Sequence, residues 1–149
     1  MPEFLTATVD KFTFKVAMDR AYTSEGVWAM ADGQSIRIGL SDYLQQRSGD
    51  VAFAEVKPAG TALTAGDEAA AIETIKVNIS LLSPAQGRVL TVNPALETAP
   101  EVINQDPYGD GWLVVIEAEN WAADQARLLT AQAYFDQMKE QAEQDVKKL

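Results

Sequence analysis

The chain has 149 residues, a formal net charge of −10, no histidine and no cysteine. This acidic balance disfavours nucleic acids and anionic membrane surfaces as partners, because their phosphates require a basic protein face. Without cysteine or histidine the chain has no disulfide, no thiolate metal site and no Ser-His-Asp or Cys-His arrangement, and no carboxylate pair typical of a glycosidase-like enzyme is visible.

The length predicts one domain over residues 1–149, with an N-terminal strand extension at 1–21 and a C-terminal helical segment at 121–149. The chain contains no run of about 18 apolar residues, which predicts no transmembrane helix. Its start, Met1-Pro2-Glu3-Phe4, is acidic and lacks the basic region of a signal peptide. We therefore expect a cytoplasmic protein, and we expect it to be a monomer.

The beginning of the chain predicts short strands in succession. The first is an edge strand, in which apolar residues alternate with polar or small ones: Phe12, Phe14, Val16 and Met18. A turn and a short strand are predicted at 22–30. Asp32-Gly33 is a strong hairpin signal and leads into a return strand at 35–40.

A short helix is predicted between Ser41, which is suited to the N-cap, and Gly49, which is suited to a left-handed C-terminal stop. The residues after Gly49 change to an extended pattern. Asp50–Val56 is predicted to be a strand that carries Val51 and Phe53 on one face.

The stretch 69–84 predicts two strands joined by a tight turn. Apolar runs at Ala70–Ile72 and Ile79–Leu82 flank a short polar centre, which places Lys76 at or beside the tip of the turn. On the local pattern alone, an ordinary solvated surface charge is the expected interpretation of such a lysine. The alternative is an attachment point that a modifying enzyme recognises.

Further strands are predicted at 61–63, 88–92 and 112–118. The last of them is nearly continuous in apolar residues and is therefore expected to be central in its sheet. A helix is predicted at 97–104, with Pro100 in its first turn.

The segment 121–149 predicts two helices. Leu128 and Leu129 are expected to form the apolar face of the first, and Thr130 caps the second. The apolar residues of the second helix recur at helical spacing: Tyr134, Phe135, Met138, Ala142, Val146 and Leu149. This helix is expected to pack on its own domain, with a partner-docking face as the alternative. The fold class is predicted to be mainly β with small helices (α+β), a β-sandwich or flattened barrel with C-terminal helices.

Short motifs follow one another between about residues 22 and 135. They are Ile38-Gly39-Leu40-Ser41-Asp42-Tyr43, Gly49–Val56, Ala65-Gly66-Asp67, Glu73-Thr74-Ile75-Lys76, Ser83-Pro84 with Gly87, Asn93–Leu96, and Asp106–Trp112. In this order and spacing they resemble the H protein of the glycine cleavage system. That family consists of lipoyl carriers, so the resemblance implies a lipoyl-domain-like fold and a carrier without catalysis of its own.

The family pattern E-S-V-K resembles Glu73–Lys76. The resemblance implies that Lys76 carries lipoic acid in a covalent amide and acts as a swinging dithiol/disulfide arm. It also implies that Glu73 helps to present the lysine to the lipoate-attaching enzyme. In biotin carriers the lysine usually has methionine neighbours, whereas Ile75 and Val77 flank it here, which disfavours biotin.

Two departures from the family pattern bear on the pathway. The family triplet His-Glu-Trp is replaced by Gly26-Val27-Trp28, and the small and acidic residues after the family lysine are replaced by Val77-Asn78-Ile79-Ser80. The start Glu25–Trp28 is similar to that of the lipoate-binding proteins of bacterial sulfur oxidizers. This similarity implies a role in sulfur oxidation; the alternatives are a true glycine cleavage H protein that carries the aminomethyl group, and an unmodified binding or regulatory homologue.

The resemblance also implies the partners. The attaching enzyme would be a lipoate ligase, or a lipoyl transferase with a lipoyl synthase. The loaded carrier would meet a heterodisulfide reductase-like complex or the glycine cleavage enzymes, together with dihydrolipoamide dehydrogenase.

Overall fold

The computed structural model describes residues 3–148. In chain order its elements are β1 (Phe4–Val9), β2 (Phe12–Ala17), β3 (Ala21–Tyr22), β4 (Val27–Asp32), β5 (Ser35–Leu40), α1 (Asp42–Ser48), β6 (Val51–Val56), β7 (Ala62–Leu63), β8 (Glu68–Thr74), β9 (Asn78–Leu82), β10 (Gly87–Val92), α2 (Ala95–Thr98), α3 (Val102–Gln105), β11 (Val114–Ala118), α4 (Trp121–Gln125) and α5 (Ala131–Lys147). Within these described residues, no helix is long and apolar enough to cross a membrane.

The strands pair antiparallel in a β1-β2 hairpin, a six-stranded sheet of order β3-β4-β5-β11-β10-β7 and a three-stranded sheet of order β6-β8-β9. The sheets are open rather than closed into a barrel. β11 lies between β5 and β10, so the prediction that this apolar strand is central is confirmed, although the strand begins at Val114.

One apolar cluster joins the six-stranded and three-stranded sheets. Ile38 of β5 and Ile116 of β11 share it with Ile72 of β8 and Leu81 of β9, and all four side chains are fully buried. Each such side chain stabilises the fold by roughly 1.5–3 kcal/mol through loss of apolar surface to water. The two sheets therefore pack face to face, and the prediction of a mainly β fold with small helices is confirmed.

A second apolar cluster joins the β1-β2 hairpin, α1 and α5, with Phe14, Tyr43, Tyr134 and Met138 among its buried members. The sequence predicted a single strand here, but the chain forms a hairpin. Asp10 adopts a positive φ of 56° in the turn between the two strands, a conformation that aspartate tolerates better than most residues.

The prediction of one continuous helix at 97–104 was wrong. The structure has two short helices, α2 and α3, separated at Pro100. Ala99 has φ −143° and ψ 64°, as expected when the proline ring disfavours helical geometry in the residue before it.

The prediction for Leu128 and Leu129 was also wrong. The short helix α4 ends at Gln125, and Asn120 caps its start by accepting a hydrogen bond from the Ala123 N–H at 3.3 Å. Leu129 instead exchanges backbone hydrogen bonds with Tyr22, at 2.8 and 3.0 Å, so this segment adds a bridge beside β3.

The second C-terminal helix agrees with its prediction. The Thr130 hydroxyl accepts a hydrogen bond from the Ala133 N–H at 3.1 Å and caps α5. Tyr134, Met138 and Ala142 are buried along one face of the helix. Leu149, which was predicted to continue that face, lies outside the described residues.

Phe53 differs from its predicted orientation. Val51 is buried as expected, but Phe53 is 53% exposed. The pairing of β6 with β8 shifts register between these two residues, and a β-bulge of this kind turns a side chain to the other face of the sheet.

Candidate functional site

Lys76 lies in the turn 75–77 between β8 and β9. Glu73 and Asn78 are opposite each other at the end of the ladder, and the Thr74 N–H donates to the Val77 carbonyl at 2.9 Å. Lys76 is exposed. The predicted hairpin with Lys76 at its tip is therefore confirmed.

The Thr74 side chain fixes the shape of this turn. Its hydroxyl oxygen accepts hydrogen bonds from the N–H of Val77 at 2.9 Å and from the N–H of Lys76 at 3.2 Å. The hydroxyl proton lies within reach of the Val77 and Ser48 carbonyls, both 2.7 Å away. Sequence analysis missed this role, although a threonine whose hydroxyl bonds to the backbone two or three residues later is a known turn signal.

The backbone of residues 47–51 packs against the Lys76 turn and forms hydrogen bonds with it. The Ile75 N–H donates to the Asp50 carbonyl at 3.0 Å, and the Lys76 Nζ lies 3.5 Å from the Arg47 carbonyl oxygen. Gly49 has φ 93° and ψ −175°, and a Cβ placed there would lie 3.5 Å from the Lys76 Cβ. Gly49 thus ends α1 as predicted and also forms part of the surface under Lys76.

Asn104 of α3 holds the 47–51 segment in place. Its Oδ1 accepts from the Val51 N–H at 2.8 Å, and its Nδ2 donates to the Gly49 carbonyl at 3.1 Å and to Gln45 Oε1 at 3.0 Å. The base of the Lys76 turn is therefore fixed through two layers of hydrogen bonds, while the lysine side chain itself remains exposed. Neither Asn104 nor Arg47 was identified from the sequence.

Glu73 lies on the outer face of β8. Its side chain is exposed, and its Cα partners are Phe53 of β6 and Asn78 of β9. The inner face of the same strand, with Ala70 and Ile72, is buried in the core. Glu73 is thus presented to solvent on the strand that leads into the Lys76 turn.

A groove of about 800 Å³ opens beside Lys76; we call it the first groove. Its apolar lining consists of Val27, Leu44, Ala65, Val77, Ile79, Leu82, Pro84 and Leu128. Its charged lining consists of Glu25, Arg47 and Arg127 in addition to Lys76. An apolar groove with a few charged groups, next to an exposed lysine, can hold an aliphatic chain attached to that lysine.

The residues that depart from the family pattern have two different effects on the structure. Gly26 has φ +96°, and a Cβ there would lie 3.0 Å from both Ser41 Oγ and Tyr134 OH, so backbone conformation and crowding account for the glycine. Val27 and Ser80 both line the first groove. These two departures therefore alter the groove itself.

Comparisons with known proteins agree on one family. The family model described as "Glycine cleavage H-protein" matches residues 20–141. The glycine cleavage system H protein of Chlorobium limicola is 42% identical over 118 residues, which cover 78% of this chain and 91% of that protein. The one from Bacteroides fragilis is 41% identical over 113 residues, or 76% of this chain and 89% of that protein.

A solved structure is similar as well. The crystal structure of a glycine cleavage system H protein from Mycobacterium marinum has a TM-score of 0.74 and 29% sequence identity, and the match covers 82% of this chain and 98% of that one. The family model matches residues 20–141, and each of these similarities covers at least 76% of the chain. The chain belongs to the glycine cleavage H-protein family.

Proposed function

We propose that this protein is a lipoyl carrier without catalysis of its own, and that lipoate is attached through an amide to the Nζ of Lys76. The observation that carries the proposal is the position of Lys76: exposed, at the centre of a turn fixed by Thr74 and the 47–51 segment. A carrier needs a fixed base and a free arm, and this hairpin supplies the base.

The residues around Lys76 fit such a group. The first groove begins at Lys76 and is mainly apolar, so the aliphatic part of a lipoyl chain can lie in it with loss of apolar surface to water. When bound, the group supplies a disulfide that can be reduced to a dithiol and can carry a group on sulfur. The chain's own residues orient the base of the arm and provide the groove.

Intact mass after co-expression with a lipoate ligase tests the attachment. The wild-type protein and Lys57→Arg, a matched change at another lysine, should each gain one lipoyl group, and Lys76→Arg should gain none. If all three proteins remain at their unmodified masses, or if Lys76→Arg is modified like the wild type, the proposal is wrong.

We further propose that Glu73 presents the turn to the attaching enzyme. Its exposed carboxylate on the strand leading to Lys76 supports this role. Glu73→Gln should lower the rate of lipoylation without changing stability, whereas Glu55→Gln, at an exposed glutamate of the neighbouring strand β6, should leave the rate unchanged. If the two variants are lipoylated at equal rates, Glu73 is an ordinary surface residue and does not present the turn to the attaching enzyme.

For the pathway, the relatives favour glycine cleavage over the sulfur-oxidation role predicted from the sequence. The proteins of Bacteroides fragilis, Chlorobium limicola and Mycobacterium marinum are all named as glycine cleavage system H proteins, and these names lend no support to sulfur oxidation. The partners are then the glycine cleavage enzymes, dihydrolipoamide dehydrogenase and the lipoate-attaching enzymes.

Sulfur oxidation, with a heterodisulfide reductase-like complex, remains a second candidate because of one observation in the first groove. Val27 stands where the family pattern has a glutamate, the segment Val77–Ser80 lacks the acid that follows the family lysine, and the remaining charged lining comprises Glu25 with Arg47 and Arg127. Once Lys76 is acylated it carries no charge, and each of the two arginines is paired with a carboxylate outside the lining, Arg47 with Asp145 and Arg127 with Asp124. The lining is then less negative than in the family pattern, so it attracts a protonated amine less strongly.

A reconstituted glycine decarboxylase assay with the lipoylated protein separates the two candidates. Efficient transfer of the glycine-derived group to the carrier supports glycine cleavage and contradicts the sulfur role. In the opposite case, Ser80→Asp should raise the transfer rate, because it adds negative charge at an exposed position of the first groove.

A further inference from the structure

A second groove, of about 380 Å³, also has Lys76 in its wall. Arg47 lines both grooves, so a group attached to Lys76 starts where the two grooves meet. The other walls of the second groove contain aromatic and aliphatic side chains, together with three polar or charged ones; the apolar members are Phe12, Phe14, Tyr43, Ala142 and Val146, and the polar or charged members are Gln46, Asp145 and Lys148. The two grooves are therefore alternative positions for one tethered group.

The second groove is built largely by segments outside the family match, which spans residues 20–141. Phe12 comes from the β1-β2 hairpin, and Val146 comes from the end of α5. Asp145 ties that helix end to α1: it accepts a hydrogen bond from the Tyr43 hydroxyl at 2.5 Å and lies 3.5 Å from Arg47 Nε. The second groove thus forms where segments outside the matched region meet Tyr43, Arg47 and Lys76 within it.

The linings of the two grooves differ in one chemical respect. The part of the first groove formed by residues the structure describes contains no aromatic side chain, whereas the second has two phenylalanines and a tyrosine. Phe14 and Tyr43 meet edge to face, with ring centroids 5.2 Å apart. Divalent sulfur makes favourable contacts with aromatic rings, so the second groove suits a sulfur-containing ring better than the first.

The second groove is also large enough to hold a five-membered sulfur-containing ring. A cavity of about 150 Å³ lined by apolar side chains can hold a benzene ring. At about 380 Å³, the groove has room for a five-membered ring and part of the chain that carries it.

We propose that the second groove binds the uncharged, oxidised dithiolane ring of a lipoyl group on Lys76 and shields its disulfide from solvent between encounters with partners. The inference rests on the proposed attachment of lipoate at Lys76. It goes beyond that function by assigning the β1-β2 hairpin and the end of α5 a role in holding the arm.

Reduction of the disulfide by a water-soluble phosphine tests the inference on the lipoylated protein. The phosphine gives two electrons to the S–S bond and becomes a phosphine oxide with oxygen from water, while two protons complete the dithiol; alkylation and intact mass then count the thiols. Phe12→Ala should speed reduction about fivefold, as expected for the loss of a sulfur–aromatic contact. Phe4→Ala is the matched control, because Phe4 lies on the same hairpin with similar exposure, 40% against 37% for Phe12.

Backbone NMR spectra give a second readout that does not depend on any partner enzyme. Lipoylation should shift the amide signals of Tyr43, Gln46 and Val146, and Phe12→Ala should reduce these shifts. If lipoylation shifts only residues of the first groove, and Phe12→Ala is reduced at the wild-type rate, the inference is wrong although the carrier function stands. If intact mass shows no lipoyl group, the proposed function fails first and the inference fails with it.

Discussion

Thr74 is the residue on which the shape of the Lys76 turn depends most directly, because its hydroxyl oxygen accepts hydrogen bonds from two backbone N–H groups. We predict that Thr74→Val lowers the free energy of unfolding by about 1–2 kcal/mol, since those groups lose their acceptor. The variant should also be lipoylated more slowly, because the lysine is no longer held in a fixed turn. Urea unfolding and a time course of intact mass measure the two effects.

Two control variants test whether the effect of Thr74→Val comes from the loss of the Thr74 hydroxyl. Thr74→Ser keeps the hydroxyl and should behave nearly like the wild type. Thr91→Val, at an exposed threonine of β10, should change neither stability nor lipoylation appreciably. A Thr74→Val protein that is lipoylated as fast as the wild type would show that the attaching enzyme does not require the fixed turn.

Gly49 is the second residue whose identity the site constrains. Its φ of 93° and ψ of −175° lie in a region that is essentially restricted to glycine, so Gly49→Ala should cost about 1–3 kcal/mol of stability. Because Gly49 lies under Lys76, the change should also slow lipoylation. Gly60 has the same φ of 93° in open space, so Gly60→Ala should lose stability while the protein is lipoylated at the normal rate.

At the scale of elements, α5 is fixed to the rest of the molecule by its buried face. Met138 is fully buried in that face, whereas Met18 is 47% exposed. Met138→Ala should therefore lower the free energy of unfolding by about 2–5 kcal/mol, through lost contacts and the cavity left behind. Met18→Ala should change it by less than about 0.5 kcal/mol. Urea unfolding midpoints give both values, and equal midpoints for the two variants would contradict the packing described for α5.

The elements that sequence analysis predicted well are those whose causes are local. Ser41 and Thr130 accept hydrogen bonds from the N–H groups of Leu44 and Ala133, at 3.2 and 3.1 Å, as N-cap residues do. The hairpin around Lys76 likewise follows from alternation and turn chemistry within a few residues. These features could be read from neighbouring positions alone.

The features that sequence analysis missed depend on distant residues or on competition between local signals. Asn104 reaches the 47–51 segment only after α3 packs beside α1. The outward turn of Phe53 depends on the register of β6 against β8. The two grooves bring together strands, helices and loops from separate parts of the chain, so no single stretch of sequence indicates them.

At the scale of the whole molecule, the tyrosines join the β1-β2 hairpin, α1 and α5 to the six-stranded sheet. All 4 tyrosines of the chain belong to the second apolar cluster or pack against it. The rings of Tyr22 and Tyr134 stack with centroids 4.6 Å apart. Burial raises the pKa of Tyr22, Tyr43 and Tyr108 well above the usual value of a phenol, and it raises the pKa of Tyr134 to about 12.

These shifts predict that the fold is lost at alkaline pH. A raised pKa means that the folded state favours the neutral phenol. The resulting stabilisation is complete below the pKa of 10.0 that Tyr134 would have when unfolded, and it is lost as the pH rises through about 12. In a pH titration, phenolate absorbance should therefore appear in one cooperative step, together with the loss of near-ultraviolet circular dichroism. If the tyrosines instead ionise near pH 10 while the circular dichroism is unchanged, the cluster is open to solvent and the hairpin and α5 are not packed as described.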